Sequence, residues 1–257
     1  MHKLQERIEK ANAQKRLALI PFITAGYPKK ENFLGLLKEL DQNGADIIEI
    51  GVPFSDPVAD GPVVEAASVL ALENGVTLNW ILQTLIENTY SFKAGLVLMG
   101  YYNPFLQYGL EKLAIDAKKA GIEGFIIPDL PFEEAENLRD ILKKAGIALI
   151  ALVGTNTSED RMRMYAKNSE GYVYVVSVLG TTGERKTFNT KVEETLARAK
   201  KVFYEEQNIP ITLGFGISKP EQIKELKNIP HGIIFGSALL KDIEKTGSTI
   251  NFMKNWQ

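Results

Sequence analysis

Apolar and polar positions along this chain alternate between two periods, and the alternation repeats from end to end. Met1–Ala11 carries leucine and isoleucine at helical spacing among charges and reads as an amphipathic helix. Short apolar runs then recur, each followed by a stretch of helical spacing. The runs are Leu17–Ile23, Ala45–Gly51, Ala94–Gly100, Ile122–Pro128, Ile147–Val153, Gly171–Val178, Ile209–Phe215 and His231–Phe235. The helical stretches between them are Lys29–Asn43, two at Val63–Asn74 and Leu78–Asn88, Gly109–Ala120, Phe132–Ala145, Ser158–Asn168, Val192–Gln207 and Lys219–Asn228, with a terminal segment after Phe235. Thr77 and Ser158 stand where helix N-caps belong, and Gly44, Gly121 and Gly146 where helices stop.

Strands alternating with helices predict a parallel sheet with right-handed crossovers. Eight such units in 257 residues match the size of a (β/α)8 barrel, with a doubly wound open sheet as the competing arrangement. The expectation is a single barrel domain over residues 1–257, with an extra N-terminal helix and extra short helices in the βα loops. Chemistry on a barrel belongs at the C-terminal ends of the strands.

Composition narrows the chemistry. A net charge of −2 with both signs interspersed gives no electrostatic case for a nucleic-acid partner. There is no cysteine, which removes disulfides, thiolate nucleophiles and cysteine-held metals; two histidines leave little for a metal centre or a Ser-His-Asp triad. The leading segment does not read as a signal peptide, and no apolar run is long enough to span a bilayer, so a soluble intracellular protein is expected.

Ile47–Pro62, I-I-E-I-G-V-P-F-S-D-P-V-A-D-G-P, organises the rest. Glu49 sits among Ile47, Ile48 and Ile50 in a strand, and a carboxyl in that setting is costly unless paired or protonated. Pro53, Pro57 and Pro62 stiffen the loop that carries Asp56 and Asp60. Asp56, in S-D-P, reads as a turn former. Burial should favour a protonated Glu49, whereas the loop residue Asp60 should be ionised; such a pair can supply an acid and an anion to one site. The plainer readings are a structural Glu49 hydrogen-bonded inside the barrel and an Asp60 that caps the next helix.

Three glycine-bearing loops follow late strands: Gly180–Gly183, Gly214–Ser218 and Gly236–Ala238. Their backbone N–H groups, with a helix beginning at Ser237, suit a phosphate. Phe22, Met99, Tyr101, Tyr174 and Phe215 stand at strand ends, as core or as a ligand pocket.

Several segments carry a family resemblance: P-F-I-T-A-G-Y-P (21–28), E-I-G-V-P-F-S-D-P-V-A-D-G-P (49–62), L-M-G-Y-Y-N-P (98–104), P-D-L-P (128–131), G-F-G-I-S-K-P-E-Q (214–222) and G-S-A (236–238). In order and over essentially the whole chain, they resemble the tryptophan synthase α-subunit family. The resemblance implies a lyase that splits indole-3-glycerol phosphate into indole and glyceraldehyde 3-phosphate by retro-aldol cleavage. It assigns the acid–base role to Glu49, acceptance of the indole N–H to Asp60, and a place beside the acid to Tyr174. Gly183, Gly216, Gly236 and Ser237 match the phosphate cradle; Phe22, Met99, Ile126, Leu152, Thr182 and Phe215 match the indole slot.

The resemblance further implies no cofactor in this chain, a pyridoxal-phosphate-dependent β subunit as partner in an α2β2 complex, and a cytoplasmic location, or the plastid stroma in a photosynthetic eukaryote. Pro53, Phe54, Asp56, Asn103 and Pro104 would face that partner, and Leu179–Thr190 resembles a mobile lid. The lid departs from the family pattern at Leu179 and Thr181, and L-V-G-T-N-T after the fifth strand lacks a common proline. A free-standing lyase that releases indole, and a binding-only subunit without chemistry, are the alternatives.

Overall fold

A computed structural model describes residues 1–176, 190–214, 216–224, 226 and 230–256. Among them nine parallel strands form one sheet: β1 (Ala18–Thr24), β2 (Ile47–Gly51), β3 (Gly95–Met99), β4 (Ile122–Ile126), β5 (Ala148–Leu149), β6 (Ala151–Val153), β7 (Val173–Val176), β8 (Ile211–Gly214) and β9 (Gly232–Phe235). Hydrogen bonding runs in the order β5-β4-β3-β2-β1-β9-β8-β7-β6. The two ends of that list are consecutive in the chain. β5 pairs with β4, β6 pairs with β7, and Ile150 between them donates its N–H to Phe125 O at 2.9 Å. The single strand expected over Ile147–Val153 is therefore split where it leaves one neighbour for the other. Read as one stave, it gives eight, and the sheet closes into a (β/α)8 barrel. A doubly wound sheet is excluded by the order itself: β1 lies beside the last strand, β9, and the two ends of the order, β5 and β6, are consecutive, whereas a doubly wound sheet runs outward from a central switch point to two edges distant in sequence.

The pleat sorts side chains between two cores. Ile48 and Ile50 face outward into the layer shared with the surrounding helices. Ile20, Ile47, Val97, Ile126, Ile150, Tyr172, Tyr174 and Ile234 fill the barrel instead. Glu49 thus shares its face with Ile47 and not with the isoleucines beside it in sequence. The helix Lys3–Ala13 closes the barrel floor with Leu4, Ile8 and Ala11, and its start is capped by His2, which accepts from Leu4 N–H. Gly124 lets Leu4 in, since a Cβ there would stand 2.9 Å from the leucine.

The helices follow the expected register with ends shifted by a few residues, Pro62 and Thr190 beginning theirs early: Phe33–Gln42, Pro62–Glu73, Leu78–Glu87, Leu110–Lys119, Glu136–Ala145, Glu159–Asn168, Thr190–Ala199 with a π-helical continuation through Glu205, Glu221–Lys224, Ser237–Thr246 and Ile250–Lys254. Thr77 and Ser158 cap as expected, accepting from Trp80 and Arg161 N–H. An additional short helix, Tyr102–Tyr108, follows β3. No helix among the described residues is long and apolar enough to cross a membrane.

Candidate active site

Glu49 is the middle residue of β2, and the strand period turns it into the barrel, where it is 0% exposed. The Tyr172 hydroxyl donates to Glu49 Oε1 at 3.1 Å, while Oε2 has no hydrogen-bond partner among the described residues. Burial outweighs that bond and pushes the carboxyl up to about 8, so Glu49 holds its proton at neutral pH. Tyr172, equally buried and facing this carboxyl, is raised well above a tyrosine's ordinary value.

Asp60 arrives on a loop made of successive turns. Val58 N–H donates to Asp56 O at 2.9 Å, Asp60 N–H to Pro57 O at 3.0 Å, and Ser55 Oγ to Asp56 Oδ2 at 2.6 Å, so Asp56 is the turn former its setting suggests. Gly61, not Asp60, takes the N-cap position of the helix Pro62–Glu73, which removes the capping reading of Asp60. Half-buried, Asp60 is raised to about 6, chiefly by burial; Tyr101 opposes the rise and Glu65 adds to it. It is closer to neutrality than an ordinary loop aspartate, yet ionised at pH 7.

Tyr174 lies two residues beyond Tyr172 on β7 and is 3% exposed. Burial raises its phenol well above the ordinary value, and the charges of both Glu49 and Asp60 raise it further. The two carboxyls therefore act on one tyrosine. Gly214 on β8 makes space for it, because a Cβ at that position would run into the Tyr174 hydroxyl and ring.

Beside Asp60 is a cavity of about 10 Å³, walled by Phe22, Gly51, Val64, Met99, Tyr101 and Pro128. That is room for about one water and not for a bicyclic ring. Glu49 does not line it. Leu152 lies instead on a larger cavity of about 140 Å³ with Pro128, Leu130, Phe132, Ile150 and Tyr165. Pro128 is a wall common to both. Ile126, 0% exposed, stays in the barrel core with Met99 and Leu152 packed against the same cluster.

The late loops fall side by side because β8 and β9 are neighbours. Gly216 takes a left-handed φ of 75°, and Gln222 Oε1 ties the loop by accepting from Ser218 and Lys219 N–H at 2.8 and 2.9 Å. Gly236 precedes the helix that begins at Ser237, and a Cβ on it would meet the Phe22 ring at 2.9 Å. Thr182, Gly183 and Phe215, and the expected lid Leu179–Thr190 up to residue 189, lie outside the described residues.

Of the expected partner-facing residues, Asp56 and Asn103 are exposed, Phe54 and Pro104 are half-buried, and Pro53 is buried, so it stiffens the loop from within. The outward apolar residues of this rim are Val58, 84% exposed, and Leu106, 51% exposed. Sequence reading missed Tyr172. The available signal was the alternation Tyr172-Val173-Tyr174, which aims both rings inward.

Residues 8–255 match the family model for the tryptophan synthase alpha chain. The chain belongs to that family. It is 57% identical over 259 residues to the tryptophan synthase alpha chain of Desulfovibrio desulfuricans, with 100% of each chain covered. It is 41% identical over 245 residues to that of Thermoanaerobacter pseudethanolicus, covering 95% of this chain and 92% of the relative. Among solved structures, tryptophan synthase of Mycobacterium tuberculosis superposes with a TM-score of 0.88 at 30% identity, covering 99% of this chain and 95% of that one. As a tryptophan synthase alpha chain family member, the protein is a carbon–carbon lyase of tryptophan biosynthesis that cleaves indole-3-glycerol phosphate.

Proposed function

We propose that Glu49 is the acid–base group of this cleavage and Asp60 the anion that steadies the ring nitrogen. The observation that carries the reading is the fully buried Glu49 inside the barrel, held by Tyr172 through one oxygen with the other unpartnered among the described residues, and Asp60 lining a cavity at the same C-terminal end of the strands. Burial keeps the first protonated, while the second stays ionised at pH 7. Glu49 gives its proton to indole C3, which makes the ring an indoleninium cation. Asp60 accepts a hydrogen bond from the ring N–H as positive charge grows there, an interaction of the kind worth several kcal/mol of barrier. The carboxylate left on Glu49 takes the proton of the hydroxyl on the carbon bonded to C3. That carbon becomes the aldehyde, the C–C bond breaks, and its electron pair returns to the ring. Indole and glyceraldehyde 3-phosphate leave, and Glu49 has its proton back.

The phosphate goes to the loops after β8 and β9, on Gly216, Gly236 and the helix start at Ser237, with Gly183. Phe22, Met99, Ile126 and Leu152, with Thr182 and Phe215, hold the ring. Because the cavity at Asp60 is small in this structure, substrate entry moves its walls apart. The chain needs no cofactor of its own for these proton transfers. The exposed Val58 and Leu106, on the rim with Phe54, Asp56, Asn103 and Pro104, favour an α subunit docked on a pyridoxal-phosphate-dependent β subunit, as α2β2 in the cytoplasm, over a free-standing lyase. Indole release from indole-3-glycerol phosphate, measured with and without a β subunit, tests this. Strong activation is expected; full activity of the isolated chain would favour the free-standing lyase, and no indole in either case would overturn the reaction.

A further inference from the structure

Tyr101 stands between β3 and the helix Tyr102–Tyr108 and is 4% exposed. Two contacts converge on its ring and hydroxyl, and a carboxylate faces it. The hydroxyl accepts the Ala59 N–H at 3.0 Å. The ring lies on that of Phe54, with centroids 5.2 Å apart and planes at 27°. The same hydroxyl faces the carboxylate of Asp60, the residue after Ala59. A phenol has one proton to give and lone pairs to receive with. With a lone pair committed to Ala59, the proton is left for Asp60.

We infer that Tyr101 is a positioning residue for the cleavage: its phenol ties the Pro53–Asp60 loop to the end of β3 and, by donating to Asp60, aims that carboxylate at the substrate's ring N–H. The inference rests on the role proposed for Asp60. The loop hangs on this ring at both ends, through Phe54 at its start and Ala59 at its finish. With Ala59 tied to the Tyr101 hydroxyl, the residue after it has little freedom to swing away. The groups facing Asp60 are Tyr101 from the end of β3, Glu65 from the helix Pro62–Glu73 and Tyr174 from β7; Asp129, from the loop after β4, faces Tyr101 in turn. Burial and Glu65 both favour protonation of Asp60, and among these neighbours it is the Tyr101 hydroxyl that favours the anion. Tyr101 therefore steers the carboxylate and, against burial, lowers the pH above which it is charged.

Tyr101→Phe keeps the stack on Phe54 and deletes only the hydroxyl. Steady-state indole release by the Tyr101→Phe chain in complex with a β subunit should show kcat about ten-fold lower with KM within about two-fold, the scale of one lost hydrogen bond. The acidic limb of its pH profile should move to higher pH. A chain carrying 3-fluorotyrosine at position 101 keeps ring and hydroxyl but has a stronger donor; it should retain turnover and move the limb to lower pH. Unchanged kcat and an unmoved limb in Tyr101→Phe would overturn the inference. If that variant does not fold, an unmoved limb in the fluorotyrosine chain would overturn it. Asp60→Asn run in parallel separates the two readings: wild-type turnover there removes Asp60 itself, whereas loss there with no effect of Tyr101→Phe removes only Tyr101.

Discussion

Tyr172 holds one oxygen of Glu49 and leaves the other without a partner: its hydroxyl donates to Oε1 at 3.1 Å, 123 residues away in sequence, while the buried Oε2 makes no hydrogen bond among the described residues. A protonated carboxyl so held has an anchored acceptor and an O–H directed by nothing else, which suits a group that must present its proton to a ligand. The bond also favours the ionised form, against burial. Tyr172→Phe should therefore make Glu49 a weaker and less steady acid. About a ten-fold fall in kcat is expected, with the basic limb of the pH profile moved upward, both read from indole release across pH. An unmoved limb would show that Tyr172 does not bear on the proton.

The pH dependence of kcat/KM should be a bell. Cleavage requires Asp60 ionised and Glu49 protonated. Activity then rises through about 6, where Asp60 loses its proton, and falls through about 8, where Glu49 does. Initial rates at low substrate between pH 5 and 9.5 measure it. A profile that keeps rising past pH 9 would contradict a protonated Glu49 as the starting state.

The same burial makes Glu49 costly to the fold. Unfolded, it releases its proton near its ordinary 4.5; folded, it keeps it up to about 8. The folded chain thus binds the extra proton between those values. This contribution to stability is complete below the lower value, declines as pH rises towards the upper one, and is flat beyond it. Glu49→Gln, with no proton to lose, should be more stable than the wild type above pH 8, by on the order of a few kcal/mol. Urea unfolding of both chains at pH 5.5 and 8.5 checks this, the gap being about three-fold larger at the higher pH.

Gly214 and Tyr174 form a second testable pair. A Cβ on Gly214 would occupy the place of the Tyr174 hydroxyl and ring, on a strand too well paired to yield. Gly214→Ala should destabilise the chain by about 1–3 kcal/mol, the usual scale of overpacking, and lower kcat by displacing the ring that both carboxyls face. Tyr174→Leu in the same background should restore part of the stability, because it removes the ring and hydroxyl that the Cβ meets. Thermal unfolding of the single and double variants reads this out.

The staves were legible from local pattern alone because each is a short apolar run with its own stop signal; Thr77, Ser158 and Gly146 punctuate helices as their types require. Glu49 and Asp60 stood out for the same local reason, a carboxyl among isoleucines and a carboxyl on a proline-stiffened loop. What escaped was set by distant partners. The break at Ile150 exists because that stave exchanges β4 for β7, which no window around residue 150 reveals. Tyr172 meets Glu49 only once the barrel is closed. The isoleucines beside Glu49 misled about its surroundings, since neighbours in a strand face opposite sides. The Tyr101 hydroxyl looks like one more aromatic at a strand end until Ala59 and Asp60 are brought to it.

The most direct test of the central claim is turnover by Glu49→Gln in complex with a β subunit, with indole-3-glycerol phosphate binding measured on the same preparation. Glutamine keeps the size and the acceptor for Tyr172 but has no proton to pass to C3. The expected result is substrate binding within a few-fold of the wild type and indole release reduced at least a thousand-fold, roughly the scale of losing a general acid–base. Indole release near the wild-type rate with binding intact would contradict it, and would place the proton transfer on another residue.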